Sequence, residues 1–185
     1  LSPVEEAAFK EGVTNGRGGK GIIYFWAGGN GGCIGDRVDY DSRASSRYTI
    51  AVGASAADGQ IAFYSEPGAS LFVNTGSEQG SCLGSTLYGI TTTSVAGLGD
   101  LDENYSTQFG GTSSATPLAA GVAALMLEAN PNLTWRDVQH IFASTSTQNR
   151  PEDEGWQTNG AGHKFNHKFG FGRVNAKAAV DAALT

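Results

Sequence analysis

The sequence predicts an α/β protein on a doubly wound, mostly parallel sheet with helices on both faces. Three observations carry that prediction. Residues 21–27, Gly-Ile-Ile-Tyr-Phe-Trp-Ala, are too evenly apolar for a strand with one wet face, and such a run reads as a buried parallel strand. An amphipathic stretch, residues 3–16, comes just before it, and a helix feeding a buried strand is the repeating half of an α/β domain. The 27 glycines follow no strict period, which excludes a collagen-like chain, and they stand beside apolar strands where tight turns need them.

Each element has its own signal. Val4, Ala7, Ala8, Phe9 and Val13 fall on one stripe of the first helix, with Glu5, Glu6, Lys10 and Glu11 elsewhere and Gly16 as a stop. After the 21–27 strand, β-prone runs predict strands at 48–54, 71–73 and 89–93, separated by loops rich in Gly, Ser and Asp. A run of small and aliphatic residues from Leu118 to Glu128 predicts a buried helix that Pro131 ends. Thr134 with Asp137 three residues later opens another helix as a capping-box-like pair, carrying Trp135, Val138, Ile141 and Phe142. Residues 148–164 are polar and punctuated, hence loop; residues 169–172 alternate as a short turn or strand, and Asn175 caps a last helix.

Composition bounds the function. At 185 residues the chain is long enough for one domain with a real core, and 39% hydrophobic with 16% charged residues excludes wholesale disorder. A formal charge of -6 with no basic run argues against nucleic acid and suits attraction of basic peptides. No apolar run reaches the roughly 18 residues of a membrane span, and no signal peptide opens the chain. Leu1 in place of Met points to a cut end. Cys33 and Cys82 lack zinc spacing; they pair in an oxidising compartment, or one has a partner outside the chain.

The chemistry gathers at Gly111-Thr112-Ser113-Ser114-Ala115-Thr116-Pro117, which runs into the buried helix. A hydroxyl in the first turn of a helix meets unpaired N–H groups and the positive end of the macrodipole, so an oxyanion on a carbonyl attacked by Ser113 would be stabilised there. The plainer reading is that Thr112 or Ser113 caps the helix. A second candidate, Ala27-Gly28-Gly29-Asn30-Gly31-Gly32, lies where the first strand ends. It lacks the Lys-Ser/Thr of a phosphate loop and the spacing of a dinucleotide fingerprint, which leaves a turn or a side-chain donor at Asn30. Asp36, Asp39, Asp41 and Glu66 form a third group, read either as a solvated loop or as hard oxygen ligands of the kind calcium takes.

Gly-Thr-Ser-x-Ala-x-Pro before a small-residue helix resembles the serine motif of the subtilisin-like serine proteases, and Leu-Glu-Ala-Asn-Pro-Asn-Leu-Thr-Trp-Arg-Asp-Val-Gln-His at 127–140 is similar to their kexin/furin branch. The resemblance implies a nucleophile at Ser113 and an oxyanion donor at Asn30. It also implies a substrate-binding stretch at Ala27, Gly28 and Gly29, an acid lining S1 at Asp41, and calcium ligands at Asp36 and Glu66. A carboxylate in a partly desolvated pocket binds a guanidinium bidentately, which gives selectivity for basic residues, and the resemblance to this branch implies cleavage after paired basic residues. The family's chain order is Asp, His, Ser, yet nothing resembling the His or Asp motif precedes Asn30; His140, His163 and His167 all lie after Ser113.

The expectation is therefore the carboxyl-terminal portion, residues 1–185, of a single catalytic domain whose amino-terminal portion is absent. That missing half and polypeptide substrates with basic residues are the expected partners, in a secreted, secretory-pathway or periplasmic setting. The chain alone is expected to be inactive. The rival reading is a half-domain or degenerate homologue that binds basic peptides and does no chemistry.

Overall fold

The structure, a computed structural model, describes residues 1–84 and 86–185. The chain opens with α1 (Pro3–Gly19), started by a capping box in which Ser2 and Glu5 exchange bonds and broken at Gly16, Arg17 and Gly18, which leave helical geometry. Then come β1 (Tyr24–Ala27), β2 (Thr49–Ser55) and β3 (Val73–Gly76), which form a parallel sheet in the order β1-β2-β3. Tyr24 faces Thr49 in the first register and Val52 faces Val73 in the second. Two antiparallel pairs follow, β4 (Gln79–Gly80) with β5 (Thr86–Tyr88), and β6 (Ile90–Thr93) with β7 (Tyr105–Phe109). The chain returns through α2 (Thr112–Ala129), α3 (Trp135–Thr145), the small pair β8 (Gln157–Thr158) and β9 (Lys164–Phe165), and α4 (Ala176–Ala183).

Side chains alternate across the sheet, so each strand feeds two cores. Ile50, Val52 and Ala54 of β2 pack with Ala115, Ala119, Ala123 and Met126 of α2 and with Val138 and Phe142 of α3. Ala51 points the other way, to Val38, Ala44, Leu71 and Trp26. On that second face the Phe9 ring of α1 stands edge-on to Tyr24, centroids 4.9 Å apart, and to Trp26. Helices thus cover both faces, as the sequence predicts. The Ala-rich face of α2 is what lets it lie close along all three strands.

Several boundaries differ from the sequence reading. Only Val13 of the predicted α1 stripe is buried, while Val4, Ala7 and Ala8 face outward. β1 starts at Tyr24 instead of Gly21 and is half-buried throughout, because in this chain it is the edge of the sheet. The third strand starts at Val73, where pairing with Val52 begins, so Leu71 belongs to the approach. Of the turn or strand expected at 169–172, the turn forms: Gly170, at φ 63, bends the chain where a Cβ would meet the Phe72 carbonyl at 2.3 Å. β7 and β8–β9 had no periodic signal strong enough to predict them. Cys33 and Cys82 are joined in a disulfide, which settles the open alternatives for the two cysteines.

Candidate active site

The site forms beyond the carboxyl ends of the parallel strands, where open α/β sheets place their ligands. β1 runs out at Ala27, and the Gly28 N–H still pairs with the Val52 carbonyl at 2.9 Å. A Cβ on Gly28 would sit 3.0 Å from that oxygen, and one on Gly29, at φ 104, would collide with the Glu66 carboxylate at 2.3 Å. Backbone proximity therefore demands both glycines. They turn the chain so that Asn30 emerges exposed at the strand end.

The Asn30 amide is fixed by one neighbour. Its Oδ1 accepts the Thr112 N–H at 2.8 Å and the Thr112 hydroxyl at 2.9 Å, and Thr112 Oγ1 accepts the Gly29 N–H at 3.3 Å. Two donors aimed at one end of an amide identify that end as the oxygen, so Nδ2 is the end turned away from Thr112. Thr112 is fully buried and is the first residue of α2, so strand end and helix start are bolted together. Thr112 was visible in the sequence only as a possible cap. The cap position belongs to Gly111, at φ 76, with no side-chain cap bond.

Ser113 follows as the second helical residue, exposed, with no hydrogen-bond partner for its hydroxyl or its N–H among the described residues. The place a Cβ on Gly111 would occupy lies 3.2 Å from Asn30 Nδ2 and 3.5 Å from the Ser113 nitrogen. An amide donor and a helix-start N–H thus border one small space beside a serine hydroxyl, the arrangement an oxyanion needs.

A buried polar lattice holds this turn from behind. Ser77 Oγ is 2.8 Å from the Gly111 carbonyl and 2.6 Å from Ser114 Oγ, and the Tyr64 hydroxyl donates to Ser77 at 2.7 Å. Thr75 donates to the Ala115 carbonyl at 2.7 Å, and Glu78 Oε1 accepts the Gly111 N–H at 3.2 Å. Burial, with Glu78 nearby, pushes the Tyr64 hydroxyl up to about 12, so it stays a neutral donor. Sequence reasoning missed Thr75, Ser77 and Tyr64, because isolated hydroxyls between apolar residues carry no spacing signal.

The acids gather beside Asn30. Gly29, Asp36, Arg37, Tyr40, Asp41, Ser42, Arg43 and Glu66 line a cavity of 380 Å³. Glu66 is buried and accepts the Gly31 N–H at 2.8 Å; burial raises its pKa above the usual carboxylate range, against that bond, and the charges of Asp36 and Asp41 raise it further. Asp41 Oδ1 takes the Arg43 and Ala44 N–H groups at 2.7 and 3.3 Å. The two arginines are paired elsewhere, Arg37 with Asp39 at 3.1 Å and Arg43 with Glu5. That leaves Asp36, Asp41 and Glu66 as the cavity's unpaired charges among the described residues. Asp39, grouped with them in sequence, points instead to the Ser70 N–H and hydroxyl, both at 2.9 Å.

Asp36 and Glu66 fit a hard cation in part. Glu66 Oε1 and Asp36 Oδ2 come within 3.0 and 3.1 Å of a single point, the place of a Cβ on Gly31. No cluster of three or more His, Cys, Asp or Glu side chains able to hold a metal exists among the described residues. The histidines stand apart: His140 is exposed on α3, His163 packs against Phe171, His167 against Phe165, and none bonds to Ser113.

The chain is similar to known proteins over nearly its whole length. The peptidase S8 family model, described as the Subtilase family, matches residues 2–172. A PC3-like endoprotease of Hydra vulgaris is 42% identical over 181 residues, covering 98% of this chain and 24% of that protein. The human proprotein convertase subtilisin/kexin type 4 is 40% identical over 178 residues, and protease KEX1 of Kluyveromyces lactis is 43% identical over 180; this chain covers 22% of each. The chain therefore spans about a quarter of the length of these relatives. In fold, the serine protease of Aeromonas sobria superposes with a TM-score of 0.85 at 23% identity, over 97% of this chain and 39% of that one. A strand-end asparagine locked to the first turn of a serine-bearing helix, on a parallel sheet matched by the family model over nearly its whole length, places this chain in the subtilase family.

Proposed function

We propose that these residues supply the nucleophile, the oxyanion donors and the S1 acids of a serine endopeptidase that cleaves after basic, paired basic residues. The observation that carries the reading is the pair of hydrogen bonds that the Thr112 N–H and hydroxyl donate to Asn30 Oδ1, which leaves Nδ2 as the donor beside Ser113. Ser113 Oγ attacks the scissile carbonyl; Asn30 Nδ2 and the Ser113 N–H hold the developing oxyanion; the acyl-enzyme is then hydrolysed. An uncharged amide suits the donor role, since it strengthens its bond as charge develops without competing as an acid. The base and its orienting Asp come from the amino-terminal half of the same domain, since His140, His163 and His167 are not at the serine.

Ala27, Gly28 and Gly29 line the cleft as backbone, and Asp41 offers its second carboxylate oxygen to a guanidinium or ammonium group. Asp36 and Glu66 would hold calcium together with a ligand from outside these residues. Bound there, the cation supplies charge neutralisation under the pocket and stability to the Asn30 turn. An oxidising, secretory or periplasmic compartment suits the Cys33–Cys82 disulfide. No helix is long and apolar enough to cross a membrane among the described residues.

The histidine-free surroundings of Ser113 favour one second reading, a module that binds basic peptides without chemistry. Fluorophosphonate labelling separates the two. With the amino-terminal half restored, Ser113 is expected to be modified and a dibasic peptide turned over. Calcium-dependent peptide binding without labelling would favour the module instead, and turnover by residues 1–185 alone would refute the assignment of the base to the other half.

A further inference from the structure

Between Glu78 and Gly110 the chain leaves the sheet and builds a small body of its own from β4–β7. Among the described residues, every hydrogen bond made by residues 87–109 ends within 79–109, on partners such as Glu103, Asp100 and Gln79; none reaches the parallel sheet or its helices. Ring contacts and salt bridges from this segment are likewise absent among those residues. Leu83, Leu87, Tyr88, Val95, Leu98 and Leu101 are all exposed, so little apolar burial holds it down. Its covalent tie to the body, besides its two ends, is the disulfide from Cys82 to Cys33, and Cys82 Sγ lies 3.8 Å from the Phe63 carbonyl oxygen. Cys33 lies in the 3₁₀ turn Gly32–Ile34, three residues after Asn30 and three before Asp36. The turn is also tied to the body by the Gly31 N–H to Glu66 and the Gly32 N–H to the Tyr64 carbonyl, both at 2.8 Å, and Cys33 Sγ lies 3.2 Å from the Phe63 carbonyl oxygen. Both half-cystines are exposed residues, as exchange with a thiolate requires.

We propose that the Cys33–Cys82 disulfide is a redox-sensitive strap that holds the 79–109 excursion against the Asn30 turn, and that its reduction frees the excursion while the parallel sheet stays folded. The reductant is a dithiol. One of its thiolates attacks a sulfur of the strap to give a mixed disulfide, and its second thiolate displaces the protein sulfur. Two electrons pass to Cys33 and Cys82, which end as thiols, and the dithiol ends as a cyclic disulfide. The consequence for catalysis rests on the role of Asn30 proposed above, but the release itself does not, so the two can fail separately.

Hydrogen exchange on the 185-residue chain tests it, comparing the oxidised protein, the dithiothreitol-reduced protein and the double variant Cys33→Ser/Cys82→Ser. Exchange is expected to rise tenfold or more in the amides of 86–109, and measurably at 33–36, in both reduced protein and variant, with 49–55 unchanged. Equal exchange in all three samples would overturn the proposal. So would loss of protection across 49–55 together with the excursion, which would make the disulfide a staple of the whole fold.

Discussion

The sheet body and the 79–109 excursion answer the same problem in opposite ways. β2 is buried along its whole length, and its side chains alternate into two apolar cores. The excursion is built from two hairpin-like pairs with large apolar side chains turned outward, and a covalent bond ties it down. Burial makes the body's parts mutually dependent, whereas among the described residues the hydrogen bonds of 87–109 stay within the excursion. The candidate site sits on the seam, with Asn30 and α2 anchored in the body and Gly111 reached through the excursion's last strand. Precise placement of Ser113 therefore falls to the polar lattice behind Gly111 and not to the hairpins.

The largest effect expected from that contrast is catalytic. In the reconstituted protein Asn30→Ala should lower turnover by roughly 10²–10³, the scale on which subtilisin, a member of the same family, responds to loss of its side-chain oxyanion donor. Stability to urea should fall by about 1–3 kcal/mol, because the buried Thr112 donors lose their acceptor; a loss well beyond that would mean that the amide is a bolt of the fold first. Next comes packing. Phe142→Ala, fully buried on α3 against Phe25 of β1, should cost about 3–5 kcal/mol, whereas Leu98→Ala in the excursion should stay within about 0.5 kcal/mol. Comparable losses for the two would erase the distinction between the regions.

The smallest effect is in acid. Asp153 is lowered to about 2, first by the Lys168 bond and then by Asn166 and Gly155, while Asp100 is lowered to about 2 by Thr107. A carboxylate with a depressed folded pKa adds stability above its unfolded value near 3.9, and that stability fades as pH falls toward 2. Asp153→Asn should therefore flatten the acid limb of global unfolding between about pH 4 and 2, by under about 1 kcal/mol given its partly solvated partner. Asp100→Asn should leave that limb untouched and alter only the exchange of residues 100–107. A shift of global unfolding by Asp100→Asn would show the excursion to be coupled to the body after all.

Much of this was legible from local pattern. Thr134 and Asp137 form the capping box their spacing predicts, with bonds of 2.7–3.2 Å, and Asn175 caps α4 through the Ala178 N–H. The 48–54 strand lies within a residue of expectation and Ser113 stands in the first turn of its helix as expected, because β-branched runs and small-residue helices carry their own periods. β1 misled, since its composition is that of a central strand while its place in this chain is an edge.

By itself the sequence determined the helices, the parallel strands and which residue types could do chemistry, because capping, periodicity and glycine placement act over a few neighbours. Tertiary structure alone decided that Asn30 and Thr112, 82 positions apart, share one oxygen, and that Asp39 turns to Ser70 while Asp36, Asp41 and Glu66 share a cavity. It also decided that Cys33 meets Cys82. Those facts depend on how the strands are ordered and how α2 crosses their ends, and no run of adjacent residues encodes an orientation between elements.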